Sequence, residues 1–113
     1  MADKVQKELI AASSVPLLLS VLKEGESYGY AIIQRVRDLS GGQLEWSEGM
    51  LYPVLHRLER QGLIASRWVK GDTGRRRKVY KIKPPGQKLL AKQRAQWSLV
   101  DATLRQLWEG TPA

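Results

Sequence analysis

Tyr52, His56 and Arg60 stand four residues apart, with Gly49, Pro53 and Arg57 beside them. At about 100° per residue, a helix over this stretch sets Gly49, Tyr52, Pro53, His56 and Arg60 opposite Leu51, Val54, Leu55 and Leu58, with Arg57 at the edge. One face is then apolar. The other carries hydrogen-bond donors, an aromatic ring and a glycine that lets a partner come close. A second concentration of chemistry follows: residues 67–83 hold eight Lys/Arg against one Asp/Glu, whereas residues 1–66 hold seven against eight and residues 84–113 four against two. Nearly all of the net charge of +8 on this 113-residue chain therefore lies in one short segment. Such density focuses a positive potential on one part of the surface, for which a phosphate backbone is the commonest partner. The plain alternative is a solvated basic loop.

Other chemistries find little support. With no cysteine the chain offers no disulfide, no thiolate zinc site and no thiol nucleophile, and its single histidine, His56, is too few for an imidazole cluster, so no metal site is expected. Eleven carboxylates are scattered, and no glycine-rich phosphate loop or serine elbow is present, so neither an enzyme nor a bound cofactor is expected. No apolar run reaches the roughly 20 residues of a membrane span, and Met1-Ala2-Asp3-Lys4 does not open a signal-peptide stretch. A single cytoplasmic domain without membrane contact is the expectation.

The elements that must position these residues are legible from periodicity and punctuation. Val5 to Leu22 has helical spacing interrupted by Pro16, which calls for a kinked single helix or a restart after Ser13-Ser14; the single helix is preferred. Gly25 ends it and Ser27 is a cap for a second helix, whose stripe of Tyr28, Ile32, Val36 and Leu39 stops at Gly41-Gly42. Leu44 and Trp46 alternate with Gln43 and Glu45, suggesting a very short extended piece. Ser47 then caps a third helix from Glu48 to Gln61, in whose first turns Pro53 should cause a local distortion. Ile64 to Lys70 and Arg75 to Ile82 read as strands joined by Gly71-Asp72-Thr73-Gly74. Pro84-Pro85-Gly86 punctuates the chain before a last helix from Gln87 to Trp108, with apolar residues at Leu90, Trp97, Val100, Leu104 and Leu107. The fold class expected is mainly α with a small β-hairpin: a winged helix-turn-helix over residues 1–83 and a C-terminal dimerisation helix over 87–110. In that arrangement the third helix enters the major groove while the hairpin, or wing, lies along phosphates or reaches the minor groove.

Particular runs of residues support a family resemblance. The run from Gly49 to Ile64, with Tyr52-Pro53-Val54-Leu55 and Arg57-Leu58-Glu59 inside it, resembles the recognition-helix signature of PadR-like transcriptional regulators. Tyr28-Gly29-Tyr30 resembles their upstream glycine-tyrosine element, and Gly74 to Ile82 followed by Gly86 resembles their wing. The resemblance implies a dimeric repressor that binds double-stranded DNA through Gly49, Tyr52, Pro53, His56, Arg57, Arg60, Arg75, Arg76, Arg77 and Lys78, with the Tyr52 hydroxyl on a phosphate. Ile82-Lys83-Pro84 departs from the usual leucine-threonine pair and so from the usual cap of the last helix. Trp97-Ser98-Leu99-Val100-Asp101 is similar to the short, multidrug-sensing members, whose dimer encloses an apolar pore around paired tryptophans. That likeness implies a planar aromatic ligand at the dimer interface, met by Glu8, Leu9, Ala12, Val15, Trp97 and Asp101. Arg94 replaces an aromatic residue of those relatives, weakens a preference for cationic ligands, and could compete for Asp101.

Each of these residues also has a plainer reading. Tyr52 could be a packed ring with a wet tip, Trp97 ordinary interface core, and His56 a surface residue. Arg75, Arg76 and Arg77 alternate along a strand, so they cannot all face one way. A winged RNA-binding module and a ligand-independent DNA-binding protein are the alternatives. The expected absence of exposed aromatics on the sheet argues against recognition of single strands by stacking.

Overall fold

A computed structural model describes residues 4–110. The chain folds as α1 (Lys7–Lys23), β1 (Ser27–Tyr28), α2 (Gly29–Leu39), α3 (Glu48–Arg60), β2 (Ile64–Lys70), β3 (Arg76–Ile82) and α4 (Pro84–Trp108), so it is mainly helical with a small antiparallel sheet. Helix α1 runs unbroken through Pro16. Ser13 and Ser14 do not cap a new helix; their hydroxyls donate back to the Leu9 and Ala11 carbonyls, at 2.7 and 2.9 Å.

Helix α2 starts differently from expectation. Ser27 does not cap it; Ser27 and Tyr28 form a two-residue strand paired to Tyr80 and Val79 of β3, and extended Tyr28 is the N-cap residue. The sheet order is therefore β1-β3-β2, with three strands rather than a bare hairpin. Residues 43–46 pair with no strand. Leu44 is held instead by its N–H donating to the Ser40 hydroxyl at 2.9 Å, and Trp46 turns into the core. Ser47 caps α3 as expected, accepting the Met50 N–H at 3.1 Å. Pro53 lies in the second turn of α3, where its missing N–H releases the Gly49 carbonyl from the helix ladder.

The hairpin pairs Ile64 with Ile82 and Lys70 with Arg76, so its loop covers residues 71–75 and Arg75 belongs to the turn. Helix α4 begins three residues before the expected start. Pro84 and Pro85 occupy its first positions, where no N–H is needed, and the cap residue Lys83 makes no side-chain capping bond. Gly86 is buried because the chain crosses here at close range: a side-chain carbon would run into the Leu63 carbonyl, whose oxygen also accepts the Lys83 N–H at 3.0 Å. These contacts seat the base of α4 on the end of α3.

The core gathers Leu18, Leu19 and Leu22 of α1, Ile32 and Val36 of α2, Leu51, Leu55 and Leu58 of α3, Ile64 and Tyr80 of the sheet, and Leu90 of α4. Beyond Leu90 the last helix leaves the core. Trp97, Leu99, Val100, Leu107 and Trp108 are exposed, and the molecule is elongated at 60 × 35 × 21 Å.

Candidate nucleic-acid interface

Burying Leu51, Leu55 and Leu58 turns Gly49, Pro53, His56, Arg57 and Arg60 to solvent as one stripe along α3. Gly49 is free of steric demand from its own chain, since a side-chain carbon there would meet only the Ser47 hydroxyl at 3.9 Å. Tyr52 is half-buried at the edge of this stripe. Its ring lies 6.2 Å from that of His56, and its hydroxyl sits so close to Gly29 that any side chain at Gly29 would collide with it. The phenol is thereby fixed at the N-terminus of α2, which has neither a side-chain cap nor an acidic residue in its first turn. Free N–H groups and a phenolic donor at one point suit an anion.

Alternation along β3 separates the wing's cations, as the sequence requires. Arg77 stacks over Tyr28 with its guanidinium carbon 3.8 Å from the ring centroid. Arg76 and Lys78 occupy the opposite face, against Trp68 of β2. That face looks toward α3. Ser66 donates a short hydrogen bond to the Glu59 carboxylate, and the Lys78 ammonium stands 3.9 Å from the same carboxylate. Between the start of α2, α3 and β3 lies an open concavity of about 470 Å³, lined by Tyr28, Tyr30, Tyr52, His56, Trp68, Arg76, Arg77 and Lys78 among others. Tyr80 also reaches it. Its hydroxyl is buried without a hydrogen-bond partner among the described residues, and burial, assisted by the negative charge of Glu59, raises the phenol above its ordinary pKa.

Trp68, Tyr28 and Glu59 were not among the site residues expected from the sequence, although Tyr28 and Glu59 lie inside the runs that carry the family resemblance. No exposed aromatic was expected on the sheet either, yet Trp68 is 58% exposed. The signal was present in β2, where Ile64, Ser66 and Trp68 alternate on one face, but only the register shows which cations lie opposite.

The ligand residues implied by resemblance are distributed over two elements. Leu9 and Trp97 line one open apolar concavity of about 410 Å³ with Val5, Pro16, Leu17 and Leu44. Glu8 and Ala12 are exposed and Val15 is half-buried on the adjoining strip of α1, outside that lining. Asp101 is held by Arg105, whose Nε donates to its carboxylate at 2.9 Å. The expected competitor, Arg94, lies instead beside Ser20, Lys23, Glu24 and Leu90. One helical turn brings residue 105 to residue 101, whereas residue 94 is nearly two turns away. Among the described residues no group of three or more His, Cys, Asp or Glu could hold a metal ion, and no helix is long and apolar enough to cross a membrane.

Three helices, a basic antiparallel wing and a polar helix face beside it define a winged helix-turn-helix regulator. Residues 18–92 match the transcriptional regulator PadR-like family, and the chain belongs to that family. The fold is similar to that of a transcriptional regulator from Clostridium thermocellum, with a TM-score of 0.81 at 30% identity, covering 90% of this chain and 96% of that one. It is also similar to a PadR family transcriptional regulator from Eggerthella lenta, with a TM-score of 0.77 at 35% identity, covering 90% and 87%. The sequence is 27% identical over 89 residues to the transcriptional regulator YqjI of Escherichia coli, covering 79% of this chain but 41% of that protein. The chain is thus a DNA-binding transcriptional regulator and not an enzyme.

Proposed function

We propose that the chain acts in the cytoplasm as a two-fold dimeric repressor, with residues 1–83 reading DNA and residues 87–110 joining the subunits. The observation that carries this reading is the concavity between α3 and the wing, where His56 of the exposed stripe and Tyr52 at its edge share one wall with Arg76, Arg77 and Lys78 of β3. Gly49, Pro53, His56, Arg57 and Arg60 face the major groove, and Tyr52 and the start of α2 take a phosphate. Arg75, Arg76, Arg77 and Lys78 lie along the flanking backbone. In a two-fold dimer the recognition helices meet successive major grooves about 34 Å apart on a roughly palindromic site.

The test is binding to duplex DNA from the region around the chain's own gene, beside duplex RNA and single strands of the same sequence. Arg75→Ala with Arg76→Ala is expected to weaken binding to all duplexes and flatten its salt dependence, because phosphate contacts act through counterion release. A wild-type salt slope in that double variant would remove the wing from the interface. Equal affinity for duplex RNA would favour the RNA-binding alternative.

Release is assigned to a planar aromatic effector at the dimer interface, with Trp97 stacking on it, Asp101 one turn later and Glu8, Leu9, Ala12 and Val15 around it. The support is the apolar concavity that already joins Leu9 to Trp97. An effector works by binding more tightly to dimer geometries whose recognition helices miss the half-site spacing. Calorimetric titration with planar dyes and phenolic acids should give heat that Trp97→Ala abolishes and Trp108→Ala retains. Absence of heat with every compound would leave Trp97 as interface core and the protein as a ligand-independent regulator.

A further inference from the structure

We propose that Trp68 is a positioning residue of the wing, an indole that holds Arg76 and Lys78 on the α3 side so that both meet the nucleic-acid backbone. This rests on the DNA-binding reading above and adds a residue to it. The register sets Trp68 directly across from Lys78 and diagonal to Arg76, so all three share one face of the hairpin. The Arg76 guanidinium carbon lies 5.3 Å from the indole centroid and the Lys78 ammonium 6.0 Å, both within cation–π range.

Three observations separate this role from ordinary packing. Trp68 is more than half exposed, so the indole is not core. Among the described residues Arg76 meets no carboxylate within ion-pair distance, and the indole is the group that orders its charge. Lys78 lines the same concavity and is held from three directions, by the indole at 6.0 Å, the Tyr80 ring at 5.7 Å and the Glu59 carboxylate of α3 at 3.9 Å, so its ammonium stays on the α3 side of the wing. An arginine and a lysine on an isolated hairpin would otherwise spread over many rotamers, and only a fraction of those place the charge on a phosphate.

Salt dependence provides the test, because Trp68 carries no charge. Each phosphate neutralised contributes about 0.9 to the slope of log affinity against log salt. Trp68→Leu should therefore lower that slope by roughly 1 to 2, as though one or two cations had been removed, while Trp68→Phe should keep most of it. In an Arg76→Ala, Lys78→Ala background, Trp68→Leu should change the slope no further. Trp68→Thr, which favours a strand and suits solvent, repeats the measurement if the leucine variant aggregates, and thermal melts verify that each variant is folded. Weaker binding with an unchanged slope would mean that the indole touches the nucleic acid itself, and would overturn the proposal, as would an unchanged affinity. A wild-type chain with no salt-dependent duplex binding would overturn the DNA-binding reading along with it.

Discussion

In the DNA-binding mode proposed above, Gly49 serves a partner at the expense of its own fold. Glycine in a helix gives up as much as about 1 kcal/mol relative to alanine, and no described residue stands in the way of a side-chain carbon at this position. Gly49→Ala is therefore expected to raise the thermal midpoint slightly while weakening operator binding, since a methyl group would stand between α3 and the groove. A variant more stable and equally tight in binding would show that no backbone approaches Gly49. Gly29 obeys the opposite logic. Its hydrogen is required by the Tyr52 hydroxyl, so Gly29→Ala should displace that ring and reduce affinity even where the fold survives.

At the scale of elements, the clasp between α1 and α2 has a defined pH dependence. Arg35 donates two hydrogen bonds to the Glu24 carboxylate, at 3.0 and 2.8 Å, joining the end of α1 to α2. These bonds, reinforced by the guanidinium charge, hold the Glu24 carboxyl below its ordinary value of 4.5. The folded pKa is the lower one, so the stabilisation is present above the unfolded value and disappears as pH falls through the folded value. Both groups are exposed, so the effect is small. Between about pH 5 and pH 3 the thermal midpoint of the wild type should fall more than that of Glu24→Gln. Parallel curves would show that solvent screens the clasp completely.

The whole molecule is a small core with a long lever. Seating Gly86 and Leu90 fixes the base of α4, and the remaining turns carry Trp97, Val100, Leu107 and Trp108 into solvent, Trp108 at 74% exposure. An apolar stripe of that kind marks an interface, and a second copy of the chain, packing its α4 on α1 of the first, is the occupant proposed. Deletion of residues 98–113 should yield monomers or aggregates while leaving the winged unit folded, because Leu90 and the rest of the core lie outside the deletion. Sedimentation of the truncated chain as an unchanged dimer would place the interface elsewhere. Tight operator binding should be lost when dimerisation is lost, since each half-site is then bound by a single subunit.

What the amino-acid order determined by itself was whatever depends on neighbours a few positions away. The leucines of α3, its Ser47 cap and the glycine-rich turn made α3 and the hairpin legible, and the alternation of Arg75 to Lys78 required the wing's charges to split between faces. The resemblance to a known family rested on the same local runs. Tertiary structure decided what depends on residues far apart in the chain. Strand β1 is two residues long and exists because β3, some fifty positions later, accepts it; no period of two residues can announce that. Register behaves likewise. A four-residue turn over 71–74 would pair Trp68 with Arg77, whereas the five-residue loop pairs it with Lys78, and that one-residue difference moves each cation to the other face. The two prolines of α4 and the Arg105 partner of Asp101 follow local rules, helix position and one-turn reach, that composition alone leaves undecided. Contacts set by chain crossing, such as the Tyr52 hydroxyl against Gly29 and the Leu63 carbonyl against Gly86, exist only once the elements pack, because each joins residues more than twenty positions apart.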